Sequence, residues 1–188
     1  MLIKEDFKKP VGHLKIETIS VETNEVIDTY EHHNMIMDKA RTSIMNDTAG
    51  FANTNISKLV MGTKGHRDGD LLTPKTSADG FISSRTSLFS EETADYEYTI
   101  GFVPTTPNNY ATVTEDDIGG GSTVLINIAG TTLTYIIEVG AAAANNAGQV
   151  PYTEGALYTG TDIFAMRCFP VRVKDSTTRF RITWNITF

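Results

Sequence analysis

Cysteine is almost absent from this sequence, because Cys168 is the only one among its 188 residues. A single thiol cannot close a disulfide within the chain, which excludes the small disulfide-stapled domains of secreted proteins as a fold class. Residues 1–10 also lack an apolar run of the length that a signal peptide or a membrane helix requires. These absences predict a chain that folds in a reducing compartment and has no membrane partner.

Basic residues are also scarce. Lysine and arginine together number 16 against 23 aspartate and glutamate residues, which gives a net charge of -7. Binding to nucleic acid without regard to its sequence needs clustered basic side chains that displace counterions from the phosphates. The charge balance therefore predicts no direct contact with nucleic acid.

Hydrophobic residues, in contrast, are present in ordinary numbers. At 40% hydrophobic and 21% charged residues, the composition is that of a folded globular protein. A chain of this length should bury roughly 70% of its unfolded surface, which suffices for one solid core. We therefore predict a single domain over residues 1–188, with a short mobile segment at residues 1–10.

The last ten residues carry the clearest pattern in the chain. Apolar and polar side chains alternate there to the final position, with the period of two that is typical of a half-buried β-strand. A free aromatic end would expose apolar surface, so this strand should be held inside a sheet. The residues predicted to be buried on one of its faces are Phe180, Ile182, Trp184, Ile186 and Phe188.

Similar alternation, or a short apolar run between turn residues, recurs along the chain. It predicts further strands or hairpins at residues 14–30, 56–61, 81–89, 96–102, 124–139 and 163–173. The apolar side changes phase at Phe169 and Pro170, which predicts a bulge or bend there. One short helix is expected near residues 35–46, capped by Asn34. Eight to ten short strands with one helix predict a mainly β fold, an antiparallel, jelly-roll-like β-sandwich.

Two long stretches, residues 63–78 and 104–121, show no periodicity and are predicted to be surface loops. A shorter loop is expected at residues 141–146. Loops as long as the first two are uncommon in a compact domain and usually have a function. Because neither carries a catalytic set of residues, we expect them to contact neighbouring chains.

Several groups of ionisable residues invite a chemical interpretation, but none has the spacing that the chemistry requires. In the segment Glu31-His32-His33, for example, adjacent residues of a strand point to opposite faces and cannot easily meet one metal ion. The other groups lack the spacing of a calcium loop, a phosphate loop or a catalytic pair. They are Asp68, Asp70 and Asp79; Glu115, Asp116 and Asp117; Glu91, Glu92 and Asp95; residues 119–122; and Cys168 with His66 or His33.

Three aromatic residues, Tyr96, Tyr98 and Trp184, would suit stacking against a sugar, although aromatic strand positions are more often used for core packing. A carbohydrate-binding module would need them exposed beside a polar groove, and it remains an alternative. The sequence assigns no catalytic, cofactor-binding or metal-binding residue. We therefore predict a protein that is not an enzyme and uses no cofactor.

Two parts of the chain carry recognisable patterns of hairpins and turns. The first comprises residues 12–17, 30, 33–36, 40–41 and 56–63, and the second residues 130–135, 152–158, 163–167, 169–170, 174–175 and 182–186. The first part resembles virion structural proteins of tailed bacteriophages, in which a short hairpin leads into a helix through an "HNLI"-like segment and a strand ending in a "GT"-like pair follows. The second part resembles the closing half of proteins associated with phage tails, baseplates and fibres.

This resemblance implies a structural β-sandwich subunit of the tail, baseplate or neck (collar) of a phage particle, acting through protein–protein contacts. Its implied partners are other virion proteins and further copies of itself in a homo-oligomer. Its implied location is the virion, which is assembled in the host cytoplasm. A capsid decoration protein and a fibre-attachment adaptor remain alternatives, since both would use a similar sandwich.

Overall fold

A computed structural model describes residues 10–50, 55–104, 109–115, 121–145 and 148–188, and this part of the chain is mainly β. Its two helices are α1 (Asp38–Thr48) and α2 (Phe89–Thr93), and Ser77–Asp79 form one 3-10 turn. Neither helix has the length and apolar character that crossing a bilayer would require. The strands are β1 (Val11–Ser20), β2 (Val26–Ile36), β3 (Ile56–Gly62), β4 (His66–Arg67), β5 (Asp70–Pro74), β6 (Glu97–Val103), β7 (Asn109–Tyr110), β8 (Thr112–Glu115), β9 (Thr123–Ala129), β10 (Thr132–Val139), β11 (Gln149–Thr159), β12 (Asp162–Asp175) and β13 (Thr178–Thr187).

Eleven strands form one antiparallel sheet in the order β7-β9-β10-β13-β1-β2-β12-β11-β3-β6-β8. The sheet folds back at β2, which pairs along β1 and then, through Met35 and Ile36 alone, with β12. The strands from β7 to β2 form a first layer and those from β12 to β8 a second layer. The two layers share one apolar core and nearly close into a barrel. The predicted mainly β antiparallel sandwich is confirmed.

Strand β13 lies inside the first layer, between β1 and β10. Its apolar side chains face the second layer, and Trp184 and Ile186 are fully buried. Four of the five residues predicted to be buried are buried, but Phe188 is 46% exposed and that part of the prediction is wrong. Pairing on both sides ends at Thr187, so Phe188 extends past the strands that would have covered it.

The second layer is apolar on both faces. In β3, for example, Leu59 belongs to the core between the layers, whereas its neighbour Val60 belongs to a second cluster on the outer face. This outer cluster is covered by residues 63–95, which run across β12 and β3. Its members are Met37, Val60, Phe81, Leu88, Phe89, Ala156, Tyr158, Ile163, Met166 and Cys168.

Two predictions for the covering segment were wrong. Residues 63–78 are not a bare loop, because β4 and β5 form a hairpin that packs on β12. Residues 81–89 do not form a strand: Phe81 and Leu88 are buried in the outer cluster, and α2 begins at Phe89. The apolar residues of that stretch are buried because they cover the outer face of the second layer, and such burial does not require a strand. The stretch 104–121 similarly contains β7 and β8, while residues 105–108 and 116–120 lie outside the described part.

The helix starts later than predicted. Residues 35 and 36, expected in the helix, belong to β2 because they pair with β12, and α1 begins at Asp38. Asn34 is not its cap, since the N-cap position is Met37. The Asn34 amide is instead buried against Gly12, where an added Cβ would come within 2.2 Å of it. Tertiary pairing thus extends the strand through residues whose spacing favours a helix.

The predicted bulge in β12 is confirmed. Tyr152 of β11 pairs with Arg172 and Glu154 with Cys168, so three β12 residues, 169–171, stand opposite Thr153 alone. Pro170 lies within this bulge, where its missing N–H breaks no regular ladder. Up to the bulge, alternation places Phe169 in the core between the layers and Cys168 in the outer cluster; after it, the residues opposite the core residues Tyr152 and Val150 are Arg172 and Lys174. The loop predicted at residues 141–146 is a turn over its described residues, 141–145.

Candidate functional site

The longest accessible feature of the fold is the free edge of β2. Residues 26–33 are exposed except for Tyr30, which is half-buried. The backbone N–H of Met37, directly after β2, donates to the carbonyl oxygen of Phe164 in β12. The odd-numbered residues of β2 therefore direct their backbone N–H and C=O groups toward the β12 side. Backbone direction alternates along a strand, and therefore Thr29, Glu31 and His33 direct their N–H and C=O groups away from β1. In the described part of the chain, no strand pairs with these three residues on that side.

The inner face of β2 closes the open side of the sandwich through a cluster around Tyr30. Its ring lies 5.9 Å from the ring of Phe169, and its hydroxyl accepts a 2.9 Å hydrogen bond from Arg167 Nε. The Arg172 guanidinium lies 5.5 Å from the Tyr30 ring centroid and forms a 3.1 Å ion pair with Asp28. Side chains rather than backbone bonds thus connect β2 to β12 over this length. Tyrosine and arginine are the residue types most enriched at protein interfaces.

The outer face of β2 carries His33, one of the two adjacent histidines that were considered as metal ligands. His33 pairs across the strands with His13, with ring centroids 5.5 Å apart, and His13 Nε2 lies 3.5 Å from a Glu31 oxygen. The side chain of His32 is on the opposite face, stacked with Tyr30. Among the described residues, no group of three or more potential ligands has a geometry that fits a metal ion.

The second accessible feature is the tip of the β4–β5 hairpin. Its two strands are joined by Asp68 and Gly69, and the exposed residues that follow are Asp70, Leu71, at 42%, and Leu72, at 70%. The register of the two strands shifts between His66 and Arg67, so Leu71, Leu72 and Thr73 bulge out of the ladder and no residue of β4 stands opposite them. Asp70 fixes the turn, since its carboxylate accepts hydrogen bonds from the Leu72 N–H and the Thr73 hydroxyl.

The base of this hairpin is tied to the second layer. Gly65 donates its backbone N–H to the Thr153 hydroxyl at 2.9 Å, and an added Cβ on Gly65 would lie 2.4 Å from the Thr153 carbonyl oxygen. The Lys75 ammonium donates to the carbonyls of Lys64 and His66 and lies over the Phe89 ring. An exposed apolar tip is therefore held on a firmly anchored base.

A buried carboxylate, Glu154, anchors the covering segment, and sequence reasoning missed it. It accepts hydrogen bonds from the N–H groups of Phe89 and Ser90 and from the Ser90 hydroxyl, at 2.7–2.9 Å. Burial raises the pKa of the Glu154 carboxyl, and these hydrogen bonds oppose that rise. A lone acidic residue within the apolar run of β11 was the available signal. It predicts a buried charge that needs partners.

A buried lysine, Lys174, was also missed. Its side chain is fully buried and donates to the carbonyls of Ala141 and Asp175 and to Asn145 Oδ1, at 2.8–3.3 Å. Burial lowers the pKa of Lys174 to about 8. These bonds hold the turn at residues 141–145 against the end of β12.

Most of the acidic residues raised by the sequence form hydrogen bonds or ion pairs with other parts of the fold. Asp79 is held by Thr76 and Arg67, and the hydrogen bond from the Thr76 backbone contributes most to lowering the pKa of Asp79 to about 2. Glu91 accepts from the Tyr158 hydroxyl, while Glu92 pairs with Arg85. The remaining pairings are Asp95 with Thr93 and Lys64, whereas Asp116, Asp117 and residues 119–120 lie outside the described part.

The thiol and the aromatic residues raised by the sequence are directed into the fold. Cys168 is buried in the outer cluster, and burial raises the pKa of its thiol. His66 contacts the Thr153 hydroxyl at 3.3 Å. Trp184 and Tyr98 are buried, at 0% and 3% exposure, so neither offers a ring to a sugar.

No family model, curated protein or solved structure matches the chain.

Proposed function

We propose that this chain is a structural, non-enzymatic subunit of a tailed-phage particle, in its tail, baseplate or neck, and that it acts through protein–protein contacts. The first support is the sequence resemblance, whose residues fall on defined elements of the fold. The first resembling part covers β1, the end of β2, the start of α1 and β3. The second covers β10, β11, β12 and β13. The resemblance therefore concerns the strands and turns that build both layers.

The observation that carries the contact function is the exposed apolar tip of the β4–β5 hairpin. Leu72 is 70% exposed although it belongs to a hairpin whose base is fixed by Gly65 and Lys75. A leucine with this exposure keeps most of its apolar surface in water after the chain has folded. A partner that covers the leucine would remove that surface from water, which is favourable. This agrees with the expectation that residues 63–78 contact neighbouring chains, and it narrows that contact to the tip.

The ionisable residues give a second, weaker support. Glu154 and Lys174, the fully buried charged side chains of the described part, are surrounded by hydrogen-bond partners that belong to neighbouring segments. Such bonds fix the covering segment and the turn at residues 141–145. This use of buried charge suits a rigid building block.

The experiment is to purify particles of the phage that encodes the chain and to quantify its peptides by mass spectrometry. We expect the chain to co-purify with particles at several copies each, in a tail, baseplate or neck subassembly. Recovery with heads would instead favour the capsid decoration alternative, and recovery with fibres would favour the adaptor. If the chain is absent from purified particles, the proposal fails.

A variant tests the contact itself. Leu72→Asp should leave the unfolding midpoint of the isolated chain close to the wild-type value, because the side chain is largely exposed. Its incorporation into particles should fall at least tenfold when it complements a phage that lacks the wild-type gene. Met45→Asp, at a residue of α1 that is 69% exposed, is the matched control and should be incorporated normally. Normal incorporation of Leu72→Asp would show that the tip is not a contact surface.

A further inference from the structure

We propose that two copies of this chain pair antiparallel through their β2 edges, around a two-fold axis at Tyr30, and so join their first layers into one continuous sheet. The observation behind this is an unpaired edge that spans residues 28–34 and contains neither proline nor lysine. Natural edge strands of this length are usually shortened, covered or blocked by such residues, because an open edge is a template for another strand. The stretch does carry two charged residues, Asp28, which pairs with Arg172, and Glu31, and a register shift lies beside Ile27 at its end.

Backbone geometry permits this pairing. Thr29 and Glu31 both direct their N–H and C=O groups away from β1, as deduced from the pairing of β2 with β12. With Tyr30 on the axis, Thr29 stands opposite the second copy's Glu31, and Glu31 opposite the second copy's Thr29. Both become hydrogen-bonded pairs of an antiparallel ladder, and the two copies of Tyr30 form the close, non-hydrogen-bonded pair between them.

Side-chain charge selects this register and a second copy of the chain as the occupant. With the axis at Tyr30, Asp28 faces the second copy's His32, and symmetry repeats this contact on the other side of the axis. An axis at Asp28 or Glu31 would place two like carboxylates opposite each other, and one at His32 would oppose two histidines. Like charges directly across two strands oppose their pairing, whereas an imidazole can donate a hydrogen bond to the carboxylate opposite it. An axis at Thr29 would place Glu31 opposite the second copy's Ile27. Among these registers, the one centred on Tyr30 opposes no two carboxylates and gives both copies of Asp28 a partner.

The structure also holds the central residues ready for this contact. Tyr30 is fixed by Phe169, Arg172 and Arg167, so it loses little conformational freedom when it is covered. Asp28 is bound on one side by Arg172 and is still 49% exposed, so its carboxylate can accept a second partner. Tyrosine is among the residues that most often carry the binding energy at the centre of an interface.

Cysteine cross-linking of the full chain tests the pairing and its register. The native Cys168 is buried and should not interfere. We expect a Thr29→Cys protein mixed with a Glu31→Cys protein to form a disulfide-linked dimer under mild oxidation, because the two positions face each other across the axis. Each variant alone should cross-link at least tenfold less. Equal cross-linking in the separate and mixed samples would overturn the register.

Sedimentation velocity tests the association without modification. The wild-type chain should be dimeric at tens of micromolar, and His32→Asp, which opposes Asp28 with a like charge, should weaken the dimer at least tenfold. His33→Asp makes the same charge change on the other face, opposite the second copy's Ile27, and should have a smaller effect. A wild-type chain that is monomeric at 100 µM would overturn the proposal and leave the edge to a different polypeptide. These results do not depend on recovery of the chain from particles, so the two proposals can fail separately.

Discussion

The outer faces of the two layers of the sandwich differ in their exposure to solvent. The first layer leaves its outer face to solvent, and Arg179 and Arg181 of β13 both pair there with Glu138 of β10. The second layer buries its outer face beneath residues 63–95. The contrast follows from the strands themselves. In β13 apolar and polar side chains alternate, whereas β11 is buried without interruption from Tyr152 to Tyr158. A strand of the second kind needs cover on both sides.

The difference shows where each kind of surface is available for binding. On the open layer the edge of β2 and the polar face are accessible as soon as the chain folds. On the covered layer the β4–β5 hairpin carries the most exposed leucine, Leu72 at 70%, whereas Ile82 of the covering segment is 44% exposed. The two proposed contacts therefore lie on different layers, the β2 edge on the open layer and the hairpin tip on the covered layer.

A substitution in the core between the two layers should have the largest effect on stability. Trp184→Ala removes the largest fully buried side chain of the core and should lower the free energy of unfolding by about 3–5 kcal/mol, the usual range for truncating a buried aromatic residue. Chemical denaturation measures it. Thr183→Ala, on the solvent side of the same strand, is the control and should change stability by no more than about 0.5 kcal/mol. A similar small change for Trp184→Ala would contradict the assignment of the core.

A smaller effect should distinguish the covered layer. Glu154→Gln keeps the shape but replaces one of the two oxygens that accept from the Phe89 and Ser90 N–H groups by an NH2 donor, which should cost about 1–3 kcal/mol. Hydrogen exchange should show the loss in residues 63–95, with β13 protected as before. The control is Glu92→Gln, which changes a more exposed carboxylate in α2, the helix that contains Phe89 and Ser90. Uniform loss of protection across both layers would show that the cover is not a separate unit.

Lys174 predicts a pH dependence at the turn at residues 141–145. Its pKa is lowered by burial to about 8 from 10.5, so between these values the unfolded chain binds more protons than the folded one. Stability from this group therefore rises as pH increases from about 8 to 10.5, and the full penalty of the buried cation applies below pH 8. The difference in stability between wild type and Lys174→Met should change over this pH range. A constant difference would show that Lys174 is not shifted.

Removal of metal ions should have the smallest effect on stability, and it tests whether the outer face of the open layer holds an ion. If His13, His33 and Glu31 held a structural ion on its outer face, chelation would destabilise that layer alone. Because the sequence lacks correctly spaced ligands, we expect the unfolding midpoint to be unchanged in EDTA. A fall of several degrees would contradict this expectation. Repeating the measurement with His13→Ala would show whether these side chains hold the ion.

The sequence by itself determined the elements whose apolar pattern is simple. Strand β13, the β9–β10 hairpin and the bulge at Phe169–Pro170 follow from alternation and its change of phase, because a strand with one buried face must repeat every two residues. Alternation failed where burial came from other sources. Residues 81–89 are apolar because they cover a sheet, and residues 35–36 form a strand because β12 lies beside them.

Only the tertiary structure decided which groups meet. Glu154 and the α2 residues that donate to it are more than 60 residues apart, as are Tyr30 and Arg167, so no local pattern could pair them. The free edge of β2 is likewise a property of the sheet order, since its sequence would suit a central strand equally well. Local spacing determines which side of a strand is apolar. Long-range pairing determines what covers that side and which edge stays open, because it depends on how the whole chain packs.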